Sequence, residues 1–498
     1  MSFSLGIAVR HQPLAGLAVA LMVVLSGCGG SRASAPTPVP TGTCTLTEAP
    51  DSVPATLTVV FTEAVSADHA PRPTTSAERF VFAHAYESLL RIDCKGALTG
   101  SLARSWALLD GSTRVRVVLR SDARFANGDV VTAGDVIASW RATGLAPTAV
   151  LARHLADHTT AVDDTTLDIE LGDLSVAALG QPELAVAKRT SQSRWLAGTG
   201  RYRVRDAGER RAGAGQRSTF VLEPLGSGTD PALTVHTTTE FDARDLVDVG
   251  TDVLITDDRA LSAYGAARSG VASSMLESPQ TWLLVAHAPA TGDSGAALDP
   301  SLTATVRTTL ARDVVRAHAR PAGSARWSPD AHGCSAIAAP PPVARSSRRS
   351  TRVVYRRDEP VARALAERLV ALAASGDAQL ALLAPGLIDA GARAAAVGLA
   401  PDEFDTALRA GGDLASLVPV QHRPTLPCLE LERLLAAAPW LVGQSGQPGA
   451  SIAPGIVAPL IETRSVAVVR RDRVGLTLTG DGTVVVSSAR RTGSADPP

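Results

Sequence analysis

The sequence switches repeatedly between two hydrophobic periods, and that switching most narrows the folds open to it. Leu57-Thr58-Val59-Val60-Phe61 is an apolar run of strand length. Arg114 to Leu119 alternates, with Val115, Val117 and Leu119 on one side and Arg114 and Arg116 on the other, as a half-buried strand requires. Thr132 precedes Asp135 by three residues ahead of Val136, Ile137 and Trp140, a capping-box pattern that opens an amphipathic helix. Strands are predicted again at Thr166–Leu171, Thr219–Leu222 and Val253–Ile255. Val353-Val354-Tyr355 predicts a strand followed by a helix, with Asp358 as N-cap, Pro360 in the first turn and Val361, Leu365 and Leu369 along one stripe. Val466–Val469 and Gly475–Val486 read as paired strands. Such a mixture predicts an α/β architecture. At 498 residues the chain has room for several domains, and 45% hydrophobic residues supply material for their cores.

Ahead of this body, Arg10 and His11 precede an apolar and small run from Leu14 to Leu25, followed by Ser26-Gly27-Cys28. Twelve residues are too few for a bilayer-spanning helix, which needs roughly 20, and fit the core of a secretory signal. The ending is similar to a bacterial lipobox. Small residues at 26 and 27 admit the chain to a peptidase, and the Cys28 thiol takes the lipid and becomes the mature N-terminus. An ordinary signal peptide with an incidental cysteine is the alternative. Acyl chains on Cys28, palmitate among them, would hold the protein at about 0.8 kcal/mol per buried methylene. Residues 29–43 read as a flexible Gly/Ser/Pro/Thr tether.

Export changes the reading of the remaining cysteines, Cys44, Cys94, Cys334 and Cys428. Outside the cytoplasm an even number favours disulfides, and four cysteines allow three connectivities. Cys44–Cys94 and Cys334–Cys428 are favoured because each pair lies within one half of the chain. No C-x-x-C spacing occurs, which argues against zinc. Lys+Arg (48) and Asp+Glu (49) nearly cancel, so the chain has no global field for nucleic acid.

Residues 80 to 140 resemble the family 5 extracellular solute-binding proteins, the peptide, oligopeptide and nickel receptors of ABC importers. Ala85-Tyr86-Glu87-Ser88-Leu89-Leu90-Arg91 is similar to the family's "vyEpLvr", and Gly100–Trp106 to "G.lAeSW". Phe125–Val136, completed by Ser139-Trp140, is similar to "FhdGtpvTAeDV". Gly198-Thr199-Gly200-Arg201-Tyr202 resembles "GTGPY" with Arg in place of Pro. Fainter matches follow in family order at Trp282–Leu310, Glu403–Leu408 and Pro459–Leu476. The "W.aDypDP" element, whose acid can pair with a peptide α-amino group, is replaced by Arg409-Ala410-Gly411-Gly412-Asp413.

The resemblance implies a two-lobed periplasmic-binding-protein-like α/β fold with an extra subdomain inserted in the first lobe. Lobe I would comprise 45–79, 196–265 and 455–498, the extra subdomain 80–195 and lobe II 266–454. It implies a monomeric, extracytoplasmic receptor that takes up a peptide or other small solute by hinge closure and passes it to an ABC permease. No catalytic residue, metal or cofactor is implied. Glu63, after the first strand, is a candidate ligand contact, with a solvated loop carboxylate as the alternative. Trp282 is a candidate apolar wall or a core residue, and Asp413 a candidate replacement for the missing acid. Two other functions remain open: a family-derived envelope scaffold, chaperone or sensor, and a hydrolase using Ser294 in Gly292-Asp293-Ser294-Gly295. The hydrolase reading lacks a suitably placed base, since His287 is only seven residues upstream. His154 and His158, at i and i+4, could face one metal but suggest no third ligand.

Overall fold

The computed structural model describes residues 44–48 and 50, most of the chain from 54 to 286, and then 300–314, 317–322, 352–374, 395–410, 414–421, 434, 437–438 and 457–487. A seven-stranded sheet builds the first lobe. Its strands run in the order Tyr202–Ala212, Gly215–Pro224, Ala232–Thr238, Thr56–Phe61, Val253–Thr256, Val466–Arg470, Val271–Met275. Thr56–Phe61 lies inside it, parallel to both neighbours. Leu57, Val59 and Phe61 pack on one face with the helix Ser76–Ala85, while Val60 joins Leu246, Leu254 and Leu261 on the other. A strand covered on both faces must be apolar at nearly every position, which accounts for the unbroken run.

A four-stranded antiparallel sheet forms a separate core between the segments of the first lobe. Its order is Ala103–Leu109, Arg114–Leu119, Thr166–Glu170, Thr159–Ala161. Val115, Val117 and Leu119 are buried, and Arg114 and Arg116 turn outward to Asp168. The capping box at Thr132 and Asp135 is formed and starts the helix Ala133–Arg141. That helix buries Trp140, whose Nε1 donates to the Leu184 carbonyl at 2.9 Å.

The second lobe holds a six-stranded sheet in the order His318–Pro321, Val457–Arg464, Gln280–Ala286, Leu414–Gln421, Arg352–Arg356, Ala395–Leu399. The helices Pro300–Asp313 and Pro360–Ala374 contribute to the core on one face, and Pro401–Ala410 to that on the other. The chain leaves the first sheet after Met275 and returns across Ser465, the single residue between Val457–Arg464 and Val466–Arg470. The two crossovers touch, with Leu276 N–H donating to the Ser465 carbonyl at 2.9 Å.

Several expectations shift. Val271–Met275 remains in the first lobe's sheet, so the crossover follows it instead of residue 265. Val457–Arg464 belongs to the second sheet, which moves the return from 455 to 465. The helix Ser76–Ala85 packs in the first lobe's core, so the extra subdomain begins after it. Val466–Arg470 does not pair with the strands that follow it. All of Val466 to Val469 are buried, and such a strand belongs between Val253–Thr256 and Val271–Met275, covered on both faces. Gly475–Leu478 instead lies between Thr45–Thr47 and Val484–Ser487. Glu359, not Asp358, immediately precedes the helix Pro360–Ala374, and the Asp358 carboxylate accepts two bonds from Arg356. No described helix is long and apolar enough to cross a membrane.

Candidate functional site: the cleft between the lobes

In open α/β sheets, ligands gather outside the carboxyl ends of parallel strands, where neighbouring chain paths diverge. Three such ends carry carboxylates. Thr56–Phe61 runs into Thr62-Glu63, Val253–Thr256 into Asp257-Asp258, and Arg352–Arg356 of the second lobe into Asp358-Glu359. The first two ends are tied by Thr62 Oγ1 and Thr256 Oγ1, 3.2 Å apart. Asp257 of the same lobe and Glu359 of the second both bear electrostatically on Glu63.

Their surroundings oppose ionisation. Each side chain keeps a partly accessible surface while protein crowds the carboxylate. Desolvation, then Asp257 and Glu359, pushes Glu63 up to about 8, although Glu63 Oε2 accepts from Ala77 N–H at 2.9 Å at a helix N-terminus. Burial, with Asp258 beside it, lifts Asp257 to about 6. Burial also lifts Glu359 to about 7, against the nearby Arg356 guanidinium.

A second network shapes the loop above Glu63. Glu78, buried on the helix Ser76–Ala85, accepts from the backbone N–H groups of Ser66 and Thr74 and from Thr74 Oγ1. It also holds His69 Nδ1 at 2.7 Å, and this hydrogen bond raises the imidazole's pKa above its ordinary value. Arg356 and Asp405 of the second lobe bear on His69 electrostatically, in opposite senses. Nearer the crossovers, Ser262 Oγ and His318 Nε2 meet at 2.8 Å and link the lobes directly.

Of the residues singled out in the sequence, Glu63 lies in this cluster. Trp282 does not line the cleft. It is 1% exposed in the second lobe's core, and its Nε1 donates to Thr463 Oγ1 at 3.1 Å. Cys44 and Cys94 form a disulfide. Asp413, Cys28, Cys334, Cys428, His287 and Ser294 lie outside the described residues. The His154 and His158 rings pack 4.5 Å apart, and no group of three metal-binding side chains occurs among the described residues. Asp257 and Glu359 were missed, though a usable signal was present: each apolar strand run ends within a few residues in one or two acids, as the Glu63 run does.

The fold is that of the two-lobed periplasmic binding proteins. An oligopeptide-binding protein from Listeria monocytogenes, OppA, solved with peptide bound, is 13% identical and superposes with a TM-score of 0.56 over 87% of this chain and 99% of its own. NikZ from Campylobacter jejuni, solved with Ni(L-His), is 13% identical with a TM-score of 0.53 over 86% and 98%. The Escherichia coli murein tripeptide binding protein MppA is 13% identical with a TM-score of 0.55 over 88% and 99%. Residues 97–228 match the model described as "Bacterial extracellular solute-binding proteins, family 5 Middle", so this stretch resembles that family in sequence as well as in fold. No curated protein matches the chain.

Proposed function

We propose that the protein is the lipid-anchored, extracytoplasmic solute-binding receptor of an ABC importer, which takes a peptide or similar small solute between its lobes. The observation that carries this reading is the set of strand-end carboxylates Glu63, Asp257 and Glu359, shared between two lobes that two adjacent crossovers join. Such carboxylates suit a solute that brings a positive group, such as a peptide α-amino terminus. The adjoining crossovers suit hinge closure. In this reading the monomer is held to the membrane through acylated Cys28 and delivers its solute to a permease, with no chemistry of its own.

Two measurements test it. The intact mass of the full chain extracted from membranes should show loss of residues 1–27 and acyl groups on Cys28; a free thiol there would remove the anchor. Native mass spectrometry of the same material should show a defined adduct or a peptide ladder. A second reading, an envelope scaffold or sensor, draws support from Arg409-Ala410-Gly411-Gly412-Asp413, which lacks the acidic Asp-Pro element. Small-angle scattering that stays unchanged across a broad peptide and metal-chelate panel would favour it.

A further inference from the structure

We propose that His154 and His158 form a ligand site outside the cleft, a two-imidazole seat on the extra subdomain for a divalent transition-metal ion. The inference is independent of the receptor reading above, since it needs neither a solute nor a movement of the lobes.

The helix Val150–Asp157 fixes the pair in place. Leu151, Ala152, Leu155 and Ala156 are buried in the extra subdomain's core, and the Leu155 carbonyl accepts from Thr159 Oγ1 at 2.6 Å. His154 and His158, four residues apart, are both exposed and stand one turn from each other. His158 follows the last helical residue, and its N–H still donates to the Leu155 carbonyl at 3.1 Å, which carries the winding through to it. The two rings lie 4.5 Å apart, tilted by 35°. Imidazole nitrogens sit about 2.1 Å from a bound ion, which puts the ring centres about 3.2 Å from it, and a right angle at the metal then separates the centres by about 4.5 Å. The rings already have that spacing.

The position of the ring protons also suits a ligand. His158 Nδ1 lies 2.8 Å from the His154 carbonyl oxygen. A carbonyl only accepts, so Nδ1 carries the proton and Nε2 of the neutral ring keeps its lone pair. A backbone carbonyl commonly orients a metal-bound histidine in this way. His154 makes no side-chain hydrogen bond among the described residues, which leaves its ring free to turn toward the same ion. Asp157 adds a carboxylate beside the pair, and Arg141 lies 3.9 Å from it. With two protein donors, water completes the coordination. Nitrogen donors with open positions suit copper(II), nickel(II) and zinc(II), copper most strongly, and not magnesium or calcium, which take oxygen.

The test is metal binding by the full chain, free of any affinity tag, at neutral pH. With copper(II) added below one equivalent, paramagnetic resonance should show two imidazole nitrogens bound to the ion. His154→Ala and His158→Ala should each remove that signal and weaken binding by about a hundredfold, as expected when one of two linked donors is lost. His236→Gln and His318→Gln should change neither. Nickel(II) should raise Tm in the wild type, because only the folded helix holds both rings at this spacing, and should not raise it in either alanine variant. Both alanines replace exposed side chains, and Tm without metal confirms that the variants fold. A two-nitrogen signal that survives either alanine variant overturns the proposal. So does a wild type that binds neither ion, or one that holds copper through a single nitrogen.

Discussion

His84 shows how one buried side chain can set the acid limit of the fold. Its Nδ1 donates to the Phe80 carbonyl at 2.7 Å and its Nε2 accepts from Val486 N–H at 3.1 Å, so the ring is neutral. Burial pulls its pKa down to about 4. A depressed histidine contributes stability that is complete above its ordinary value near 6.5 and lost as pH falls toward 4. Calorimetry should show Tm falling over that interval, and His84→Gln should remove this part of the slope. Gly198 and Gly200 are a second residue-scale case. A Cβ on Gly198 would meet the Ala85 carbonyl oxygen at 2.0 Å, and one on Gly200 the His84 oxygen at 2.4 Å. Both glycines let the 198–200 segment press against the end of the helix Ser76–Ala85, where Gly200 N–H donates to Ala85. Gly198→Ala should cost about 1–3 kcal/mol or more in urea denaturation. Gly134→Ala, with nothing nearer than 3.7 Å, should be neutral or slightly stabilising.

At the scale of elements, the start of the helix Ala133–Arg141 was legible to the residue. Thr132 Oγ1 accepts from Asp135 N–H at 3.2 Å, and Asp135 returns the bond to Thr132 N–H at 3.0 Å. Thr132→Ala should cost about 1 kcal/mol by thermal unfolding, and Thr132→Ser little. The alternation of Arg114–Leu119 was equally legible, because one face meets water and the other a core. Local chemistry decides both. The partners of Val466–Arg470 could not be read this way. Its burial on both faces shows only that it is interior, while its neighbours come from residues 253–256 and 271–275. Trp282 was ambiguous for a related reason: an aromatic ring serves a core or a binding wall equally well, and only the position of Thr463 in space decides. The cleft was half legible. Glu63 stood out after its strand, but its relation to Asp257 and Glu359 depends on how the two sheets face each other.

For the whole molecule, the cleft carboxylates and His84 pull stability in opposite directions. A carboxylate raised in the folded state contributes stability that is present below its ordinary value near 4.5 and lost as pH rises through about 8 for Glu63. The unliganded chain should therefore lose Tm on the alkaline side as well as the acid side. Glu63→Gln should flatten the alkaline limb while leaving the acid limb intact. An alkaline limb as steep as that of the wild type would mean that Glu63 is ionised in the folded protein at neutral pH.

Cys44 stands immediately before the strand Thr45–Thr47, which is held at the edge of Gly475–Leu478 by few hydrogen bonds. A strand so short would peel under tension applied along the residues that precede it. The link to Cys94 changes the load path, because a pull arriving at Cys44 passes through a covalent bond into the hairpin of Leu90–Ile92 and Leu98–Gly100. The force is then borne within the first lobe's half of the molecule, away from Leu276 and Ser465. A protein tugged at this end can resist without being pried apart at its crossovers.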